Sequence, residues 1–334
     1  MPATTIPSFN DLPPVPGFPQ SKCSWGIFDK DGQKDLYGTL NFLTPDVVKS
    51  AAAEIREGIS VSLNWPIGSI KIPEFFRKSL CHRVLKLEDP TGKVIGYDDE
   101  VEFNTQASSQ WDSLCHYRHL PTGQSYNSFK PTISTLESDN NLPTLNHWHT
   151  RGYLTGRGVL LDFKSYATSK KISYSPFTSH CLAATDLEAI ATHQNTPLLP
   201  GDILLIRTGF TEALTPLSGP EQASALSTLQ VCGLEGSEEM ARWLWNHQFS
   251  AVASDNLAVE AIPSVVDGVE RPATELVLHQ WCLALLGMPL GELWDLRGLA
   301  EECERIGRWS FFLTSVPLNV PGAVGSPPNA LAVL

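Results

Sequence analysis

Short apolar runs and longer periodic segments alternate along the chain. Two of the runs, 157–163 and 202–207, are almost continuously apolar, which is typical of strands that are covered on both faces of a sheet. Four further strands are predicted at 61–63, 80–86, 249–254 and 309–315. Four helices are predicted, three of them opened by a Thr or Ser cap, at 44–57, 185–193, 237–247 and 272–287.

The order of these elements predicts the fold class. Strands and helices alternate without strict βαβ regularity and without internal repeats, which favours an α/β fold on one mixed central sheet over two separate domains. The proline-rich and polar residues 1–22 predict an extended N-terminal arm, and residues 23–334 are assigned to a single domain. The stretch 116–150 is crowded with His, Tyr, Trp and Pro, which indicates an active-site loop.

Composition and charge argue against several classes of protein. A net charge of −12 without any run of Lys or Arg disfavours nucleic-acid binding, because an acidic surface repels phosphate. No apolar run approaches the roughly 20 residues of a membrane helix, and the N-terminus lacks the features of a secretory signal. Seven scattered cysteines without a Cys-x-x-Cys pair predict reduced thiols in a cytoplasmic protein. Rossmann enzymes, P-loop NTPases and α/β-hydrolases are disfavoured because their glycine-containing motifs are absent.

Residues 106–116, Gln-Ala-Ser-Ser-Gln-Trp-Asp-Ser-Leu-Cys-His, contain the strongest chemical signal. The residues able to bind a cation or move a proton follow spacings of four, two and four, and are Gln106, Gln110, Asp112 and His116. Such spacing lets a bent strand or loop bring the four side chains to one point. Carboxylate and imidazole are usual donors in catalytic metal sites, whereas amides bind transition metals weakly. A structural interpretation stays open, in which Asp112 caps a turn and His116 is hydrogen-bonded beside a buried Trp111.

Other titratable residues lie apart from this segment. His279 lies in the predicted apolar helix, and Glu292 follows thirteen residues later. A lone His in such a helix is usually a satisfied core residue. Asp255 and Glu260 lie just past the strand 249–254, at the strand end where α/β sheets tend to bind ligands. An Asx turn explains Asp255 equally well.

Residues 106–116 align without gaps with the motif His-x-Gly-Thr-His-x-Asp-x-Pro-x-His, and through this segment the chain resembles the cyclase family, the superfamily of bacterial kynurenine formamidase and isatin hydrolase. Gln106 and Gln110 stand at the positions of two metal-binding histidines. Asp112 matches the ligand Asp, and His116 matches the last His, a general base or ligand in the family. Glutamine at both positions resembles a fungal-type subgroup. Further blocks that resemble the family lie at 38–45, 157–162, 201–209, 255–260 and 317–327.

The resemblance implies a swivelling α/β fold whose mixed central sheet is partly barrel-like and flanked by helices. It also implies a homodimer or homotetramer and the metal-assisted hydrolysis of an amide, lactam or lactone, with His116 as general base. His279 and Glu292 resemble the downstream His and Glu of a second metal position. The candidate ligands of a Zn²⁺, Mn²⁺ or Mg²⁺ ion are therefore Asp112, His116, His279 and Glu292.

Two amides in place of two imidazoles weaken the first metal position, because Gln oxygen is a hard and weakly basic ligand. Three outcomes stay open. In the first, a metal shifts onto the set Asp112, His116, His279 and Glu292. In the second, a harder ion such as Mg²⁺ or Mn²⁺ tolerates Gln oxygens beside Asp112. In the third, no metal binds and the four polar residues of the motif form a hydrogen-bonding pocket.

Three hypotheses about function follow. The first is a hydrolase of the arylformamidase and isatin hydrolase type. The second is a metal-independent cyclase or dehydratase of secondary metabolism. In it, Gln106 and Gln110 hold a carbonyl or enolate oxygen, while Asp112 and His116 carry out acid–base chemistry. The third is an inactive binding protein on the same fold.

A small flat molecule, aromatic or polyketide-like, is the predicted substrate because aromatic residues are dense in and after the motif. The residues predicted to contact it are Ser109, Trp111, Tyr117, Trp148 and Glu260, with Tyr153 as a further aromatic neighbour. Aromatic residues at this density also occur in ordinary cores and subunit interfaces. That alternative stays open.

Overall fold

The computed structural model describes residues 6–73, 75, 77–138, 141–266 and 268–334. The strands within these residues are β1 (Pro14–Val15), β2 (Phe18–Lys22), β3 (Ser60–Ser62), β4 (Cys81–Glu88), β5 (Val94–Glu102), β6 (Gln110–Asp112), β7 (Leu154–Asp162), β8 (Cys181–Leu182), β9 (Ile203–Arg207), β10 (Gly233–Leu234), β11 (Ala251–Ser254), β12 (Val265–Val266), β13 (Val269–Glu270), β14 (Leu290–Glu292), β15 (Ser310–Ser315), β16 (Gly325–Ser326) and β17 (Ala330–Val333).

The α-helices within the same residues are α1 (Pro45–Ala51), α2 (Ile133–Leu136), α3 (His147–Arg151), α4 (Phe163–Lys170), α5 (Ala184–His193), α6 (Phe210–Leu214), α7 (Gly219–Leu226), α8 (Glu238–Asn246), α9 (Val277–His279) and α10 (Arg297–Ile306). A π-helix continues α9 over Gln280–Leu286, and short 3₁₀ helices occur at Phe9–Asp11, Gly38–Phe42, Ala52–Glu54 and Tyr126–Ser128. No helix in the described part of the chain is long and apolar enough to cross a membrane.

A mixed sheet of nine strands forms the centre of the fold, in the order β16-β6-β14-β11-β9-β7-β15-β17-β3. The four strands from β14 to β7 are parallel, and the strands on either side pair antiparallel. The sheet curls into a partial barrel with helices around it. The predicted α/β fold on a mixed, partly barrel-like sheet is therefore confirmed.

The central strands are covered on both faces. Along β7, Leu161 belongs to one buried apolar cluster and Leu160 to another. Along β9, Leu204 belongs to the first cluster and Leu205 to the second. Because successive side chains of a strand point to opposite faces, this alternation means that each strand contributes to two cores. The continuous apolar runs predicted this arrangement correctly.

Helix ends follow local chemistry more closely than the apolar pattern. Thr44 caps α1 as predicted, but the α-helix ends at Ala51 and continues only as a 3₁₀ turn, short of the predicted end at 57. Ser237 caps α8 as predicted, with its hydroxyl accepting from Met240 N at 3.1 Å. The cap of α5 is Ala183 rather than the predicted Thr185, because Asp186 accepts a hydrogen bond from the Ala183 N–H.

Two segments differ from simple sequence expectations. The apolar segment 272–287 begins its helix only at Val277, and from Gln280 it is a π-helix. The strand predicted at 80–86 is β4, but its partner β5 was not predicted. Residues 6–22 of the predicted arm form a 3₁₀ turn and the β1–β2 hairpin, and residues 1–5 lie outside the described residues. The predicted loop 116–150 includes α2 and most of α3.

Candidate active site

The short strand β6 carries the centre of the motif. Alternation along it sends Gln110 and Asp112 to one face and Trp111 to the other. β14 pairs antiparallel with β6 and places Glu292 opposite Gln110. The Gln110 amide donates from Nε2 to Glu292 Oε2 at 2.6 Å. Register alone therefore gathers two carboxylates and an amide on one buried face.

The same alternation removes two predicted aromatic contacts from the site. Trp111 is fully buried in the core on the opposite face, where its ring centroid lies 5.8 Å from that of Trp148. Its indole N–H donates to Ser315 Oγ at 2.8 Å. Ser109 is also structural, because its hydroxyl donates to the Leu293 carbonyl at 2.6 Å. The predicted substrate contacts Trp111, Trp148 and Ser109 are thus corrected to packing and backbone-bonding roles.

Gln106 joins the two ends of the motif. Its Nε2 donates to Asp112 Oδ1 at 2.6 Å and lies 3.1 Å from His116 Nδ1. A Cβ atom on Gly325 would lie 2.5 Å from Gln106 Cγ, so glycine at this position of β16 lets Gln106 approach. His116 follows β6 in a turn in which its N–H donates to the Ser113 carbonyl at 2.9 Å. The predicted spacing did bring these side chains together.

His279, at the end of α9, reaches the site from another element. Its Nδ1 lies 2.8 Å from Glu260 Oε1 and its Nε2 lies 3.1 Å from Glu292 Oε1. Glu260 also accepts from the backbone N–H groups of Leu278 and His279, at 2.9 and 2.8 Å, and from the Ser264 hydroxyl at 2.9 Å. Glu260 is fully buried behind the imidazole. Its predicted contact with substrate is corrected to a role in orienting His279, because both of its oxygens are occupied by donors.

Three side chains converge on one point. One ligand atom each of Asp112, His116 and His279 lies within 4.8 Å of the other two. Asp112 Oδ2 is buried and has no hydrogen-bond partner among the described residues. Gln110 Oε1 is also buried without a partner among the described residues, while Nε2 of the same amide donates to Glu292. An unpartnered buried carboxylate oxygen is costly, so the residues present fit a divalent cation.

The charges of the site are shifted strongly by burial. Burial, followed by the nearby charge of Glu292, raises the pKa of Asp112 to about 8. Burial and the charge of His279 lower the pKa of His116 to about 4, so this imidazole is neutral at pH 7. Burial acts to lower the pKa of His279, but hydrogen bonds to Glu260 and Glu292 outweigh it and raise that pKa to about 10.

The open side of the site is formed by His116 and Tyr117, which are both half-buried. The pair Asp112 and His116 is therefore not sealed in the core. The Tyr117 ring centroid lies 5.5 Å from that of His279, and its hydroxyl donates to the Thr274 carbonyl at 2.6 Å. Among the residues predicted to contact a substrate, Tyr117 is the one that lies beside the accessible imidazole.

One residue at the site, Arg77, was not predicted from the sequence. Arg77 donates from Nη1 to the Gln106 carbonyl at 2.6 Å, and its charge acts to lower the pKa values of Asp112 and His116. Its guanidinium carbon also lies 5.5 Å from the ring centroid of Phe75. No motif marks an isolated Arg of this kind. Only the folded arrangement places it beside the Gln106 backbone.

Asp255, the other acidic residue at a strand end, is separate from this site. Its Oδ1 accepts from Thr208 N at 2.7 Å and from the Thr208 hydroxyl at 2.8 Å, and its Oδ2 accepts from Gly209 N at 2.6 Å. All of these donors belong to the segment that follows β9. Asp255 therefore has a structural role, holding the segment between β9 and α6, but not through the Asx turn that was the alternative to catalysis.

Comparisons with known proteins agree with this architecture. The family model described as "Putative cyclase" matches residues 37–261. A crystal structure of a novel cyclase is 30% identical, with a TM-score of 0.79 over 93% of this chain and 99% of the other. Isatin hydrolase A from Ralstonia solanacearum is 16% identical, with a TM-score of 0.57 over 87% of this chain and 98% of the other.

Isatin hydrolase A from Labrenzia aggregata, bound to benzyl benzoate, is 14% identical, with a TM-score of 0.55 over 86% of this chain and 97% of the other. At such identities the two isatin hydrolases show a shared fold only. A comparison with curated protein sequences found no match. The family model covers well over half of the chain, and the cyclase structure is similar to it in both sequence and fold. The chain therefore belongs to the cyclase family.

Proposed function

We propose that this chain is a metal-assisted hydrolase of a small amide, lactam or lactone. Asp112, His279 and Glu292 would hold a divalent cation, and His116 would accept a proton from the attacking water. The proposal rests on Asp112 Oδ2, which is buried without a partner among the described residues. Nitrogen atoms of His116 and His279 lie within 4.8 Å of the Asp112 ligand atom.

A divalent cation, when bound, lowers the pKa of a water and polarises a carbonyl group. The chain itself supplies the proton acceptor. His116 is neutral at pH 7 because burial lowers its pKa to about 4, and it lies on the accessible side of the site. Gln106 bonds Asp112 and approaches His116, so it holds the carboxylate and the imidazole beside each other. Because the proposed ligands are Asp112, His279 and Glu292, His116 is free to transfer a proton.

The two glutamines support this assignment of ligands. Both amides donate N–H groups to carboxylates, Gln106 to Asp112 and Gln110 to Glu292. Their N–H groups therefore orient the acidic groups, while Gln110 keeps a buried Oε1 without a partner among the described residues. The proposed ligands are carboxylate oxygens and one imidazole nitrogen, a set compatible with Zn²⁺ or Mn²⁺. Of the three outcomes predicted from sequence, this favours the shift of a metal onto the downstream His and Glu.

The substrate class follows from the open side of the site and from the family. Tyr117 offers an aromatic ring next to His116, which suits a flat or aromatic molecule. Isatin hydrolases share the fold of this chain, and hydrolysis of a ring amide or ester is the reaction we carry over from them. We further propose that the enzyme acts in secondary metabolism.

Metal analysis of protein purified without chelator tests the proposal. We expect about one divalent ion per chain from the single cluster of donors, together with hydrolysis of at least one member of a panel of aryl amides, lactams and lactones. Asp112→Asn should lose the ion and the activity. Asp255→Asn is the matched control, because it also removes a buried carboxylate charge but lies outside the site. Equal metal content in wild type and Asp112→Asn would contradict the proposal.

A second candidate is a metal-independent cyclase or dehydratase. One observation favours it: the pKa of Asp112 is raised to about 8 and that of His116 is lowered to about 4. At neutral pH these residues would be a protonated acid beside a neutral base, which is sufficient for proton transfer. Activity that survives exhaustive chelation and is lost in Asp112→Asn would identify this mechanism instead.

A further inference from the structure

Arg77, at the edge of the candidate active site, carries a positive charge that no carboxylate of the described residues neutralises. Its side chain is half-buried, and Nη1 donates to the Gln106 carbonyl at 2.6 Å. The next residue in the chain, Lys78, is instead paired with Glu102. A guanidinium has five N–H donors, so Arg77 keeps Nε and Nη2 for an acceptor that the described part of the chain does not supply.

The contact with Gln106 places this charge beside the groups that carry the proposed chemistry. The Gln106 side chain bonds Asp112 at 2.6 Å and lies 3.1 Å from His116 Nδ1. Burial has the largest effect on the pKa values of Asp112, His116 and Glu292, and the charge of Arg77 acts to lower all three. Because solvent screens distant charges, an effect on three separate side chains requires a charge that lies near the site.

An aromatic ring accompanies the guanidinium. Arg77 Cζ lies 5.5 Å from the ring centroid of Phe75, a residue that is 49% exposed. A cation–π contact restrains the side chain before it binds anything, and a restrained group loses less entropy on binding. On the open side, Tyr117 places a second ring beside His116, with centroids 6.5 Å apart. The edge of the site therefore offers aromatic surface together with a cation, which suits a flat molecule with a negative charge.

The number of available charges favours a carboxylate over a phosphate. A phosphate ester carries about −1.5 to −2 charges at neutral pH, whereas one guanidinium balances a single negative charge. The planar fork of a guanidinium also matches the two oxygens of a carboxylate in a bidentate pair. Lys78 is already paired with Glu102, so this neighbouring cation does not add a second charge to the site.

We propose that Arg77 binds a carboxylate that the substrate carries apart from the bond that is hydrolysed. The substrate is then an acidic aryl amide, lactam or lactone, and Arg77 selects it over a neutral compound of the same shape. The reaction in this proposal rests on the proposed hydrolase function, whereas the binding of an anion by Arg77 can be measured without it.

An NMR titration of the full chain with benzoate and benzamide tests the anion site without any turnover. The two probes have nearly the same shape and differ in charge. We expect benzoate to bind about 10–100-fold more tightly than benzamide, the usual effect of hydrogen bonds to a charged group. Arg77→Met should abolish this preference, and unchanged binding of benzamide would show that the variant is folded. Lys78→Met is the matched control and should keep the preference, because the charge of Lys78 is already paired.

The titration is repeated after chelation, because a divalent ion also binds carboxylates, and the preference for benzoate should persist. Three results would overturn the proposal. They are equal binding of the two probes by wild type, a preference that Arg77→Met retains, and a preference that disappears on chelation.

Turnover tests whether the carboxylate belongs to the substrate. For at least one of the formamidobenzoate isomers, kcat/KM should exceed that of the matching neutral formamidobenzamide by about 10–100-fold. Arg77→Met should remove this ratio, mainly through KM. Arg77→Lys should keep part of it, because an ammonium group keeps the charge and loses the fork.

The ratio also separates this role from a structural one. An equal loss of kcat/KM for both compounds in Arg77→Met would mean that Arg77 only holds Gln106 or binds the acid that hydrolysis releases, and would overturn the proposal. If neither compound were hydrolysed while benzoate still bound through Arg77, the hydrolase function would fail and the anion site would stand.

Discussion

This molecule contains two buried clusters of acidic residues, and they differ in whether an arginine forms ion pairs with the carboxylates. Beside β7 and β9, Arg207 bonds Asp162 at 2.8 Å and Glu212 at 2.7 Å. At the candidate active site, Asp112 and Glu292 have no ion pair with any Lys or Arg of the described residues, and the nearby cationic group is His279. The first cluster is paired with an arginine, whereas the cation of the second is the His279 imidazole, whose pKa is raised to about 10.

The pKa values of three buried aspartates show how much the surroundings of these carboxylates differ. Burial raises the pKa of Asp202 to about 6 although Arg157 opposes the shift. Burial raises the pKa of Asp255 to about 6 against the hydrogen bonds from Thr208 and Gly209. At Asp112, where a second carboxylate is near, the pKa rises to about 8. Asp202 and Asp255 have charged or hydrogen-bonding partners that oppose the effect of burial, whereas Asp112 has one donor, Gln106, and an Oδ2 without a partner among the described residues.

The largest effect is expected at the group that moves the proton. His116→Ala should lower turnover by about 10²–10⁴-fold, the usual contribution of a general base, with little change in stability because His116 is half-buried. His180→Ala is the matched control, since His180 is also half-buried and stacks on Phe163 at 5.4 Å. Steady-state kinetics on the substrate found in the panel measures both. Unchanged turnover in His116→Ala would contradict the role of His116 as general base.

The next largest effect is a loss of stability when the cluster of Arg207, Asp162 and Glu212 loses its arginine. Arg207→Met should destabilise the fold by about 3–5 kcal/mol, because Asp162 would remain buried without its cation and Glu212 would keep only Lys164. Arg297→Met removes an exposed pair with Glu301 and should change stability little. Urea denaturation measures the difference in the free energy of unfolding. If the two variants were equally stable, the distinction between completed and incomplete clusters would lose its basis.

Local patterns predicted five of the nine strands of the central sheet, β3, β7, β9, β11 and β15, and half of the site. The runs that became β7 and β9 are continuously apolar at 159–161 and 203–206, between charged residues, so burial on both faces was visible in the sequence. The spacing of Gln106, Gln110, Asp112 and His116 predicted their convergence. Alternation within β6 was also readable, but the strand has only three residues. Without its neighbours nothing in the sequence showed that Trp111 faces the core.

The remaining features depend on contacts between distant segments. Glu260 orients His279, which lies nineteen residues later in the chain. From its sequence position at a strand end, Glu260 was predicted to contact a substrate. Arg77 reaches Gln106 from a loop without a motif. β5 was missed because its four acidic residues hide the apolar alternation of an exposed strand. In each case the partner that defines the role is remote in the chain, so no local pattern could reveal it.

A smaller effect is expected from the residue that orients the site. Glu260→Gln should weaken binding of Zn²⁺ or Mn²⁺ by about 10–100-fold, as is typical of a residue behind a metal-binding His. Glutamine has one side-chain oxygen, whereas Leu278 N, His279 N and the His279 imidazole now bond to the two oxygens of Glu260. Isothermal titration calorimetry measures the affinity. Glu188→Gln is the control, because Glu188 also lies 3.3 Å from a His, at the surface. Equal affinities in both variants would assign Glu260 a purely structural role.

The smallest expected effect is a pH dependence of stability that arises in the cluster of Arg207, Asp162 and Glu212. Burial acts to raise the pKa of Glu212, but hydrogen bonds from Arg207 and Lys164 outweigh it and lower that pKa below the ordinary value. The stabilisation is therefore present above the unfolded pKa and is lost as the pH falls through the folded pKa. Glu212→Gln should cost on the order of 1 kcal/mol at pH 7, and the difference from wild type should shrink on acidification below about pH 4.5.

Denaturant titrations between neutral and acid pH measure this difference. The exposed Glu239→Gln is the matched control and should track wild type at each pH. A gap between Glu212→Gln and wild type that stayed constant with pH would mean that packing, and not the charge of Glu212, stabilises the cluster. The arginine would then be no more than a space-filling side chain. In that case the contrast with Asp112 would rest on the unpartnered oxygen alone, and metal binding by that oxygen would become the deciding measurement.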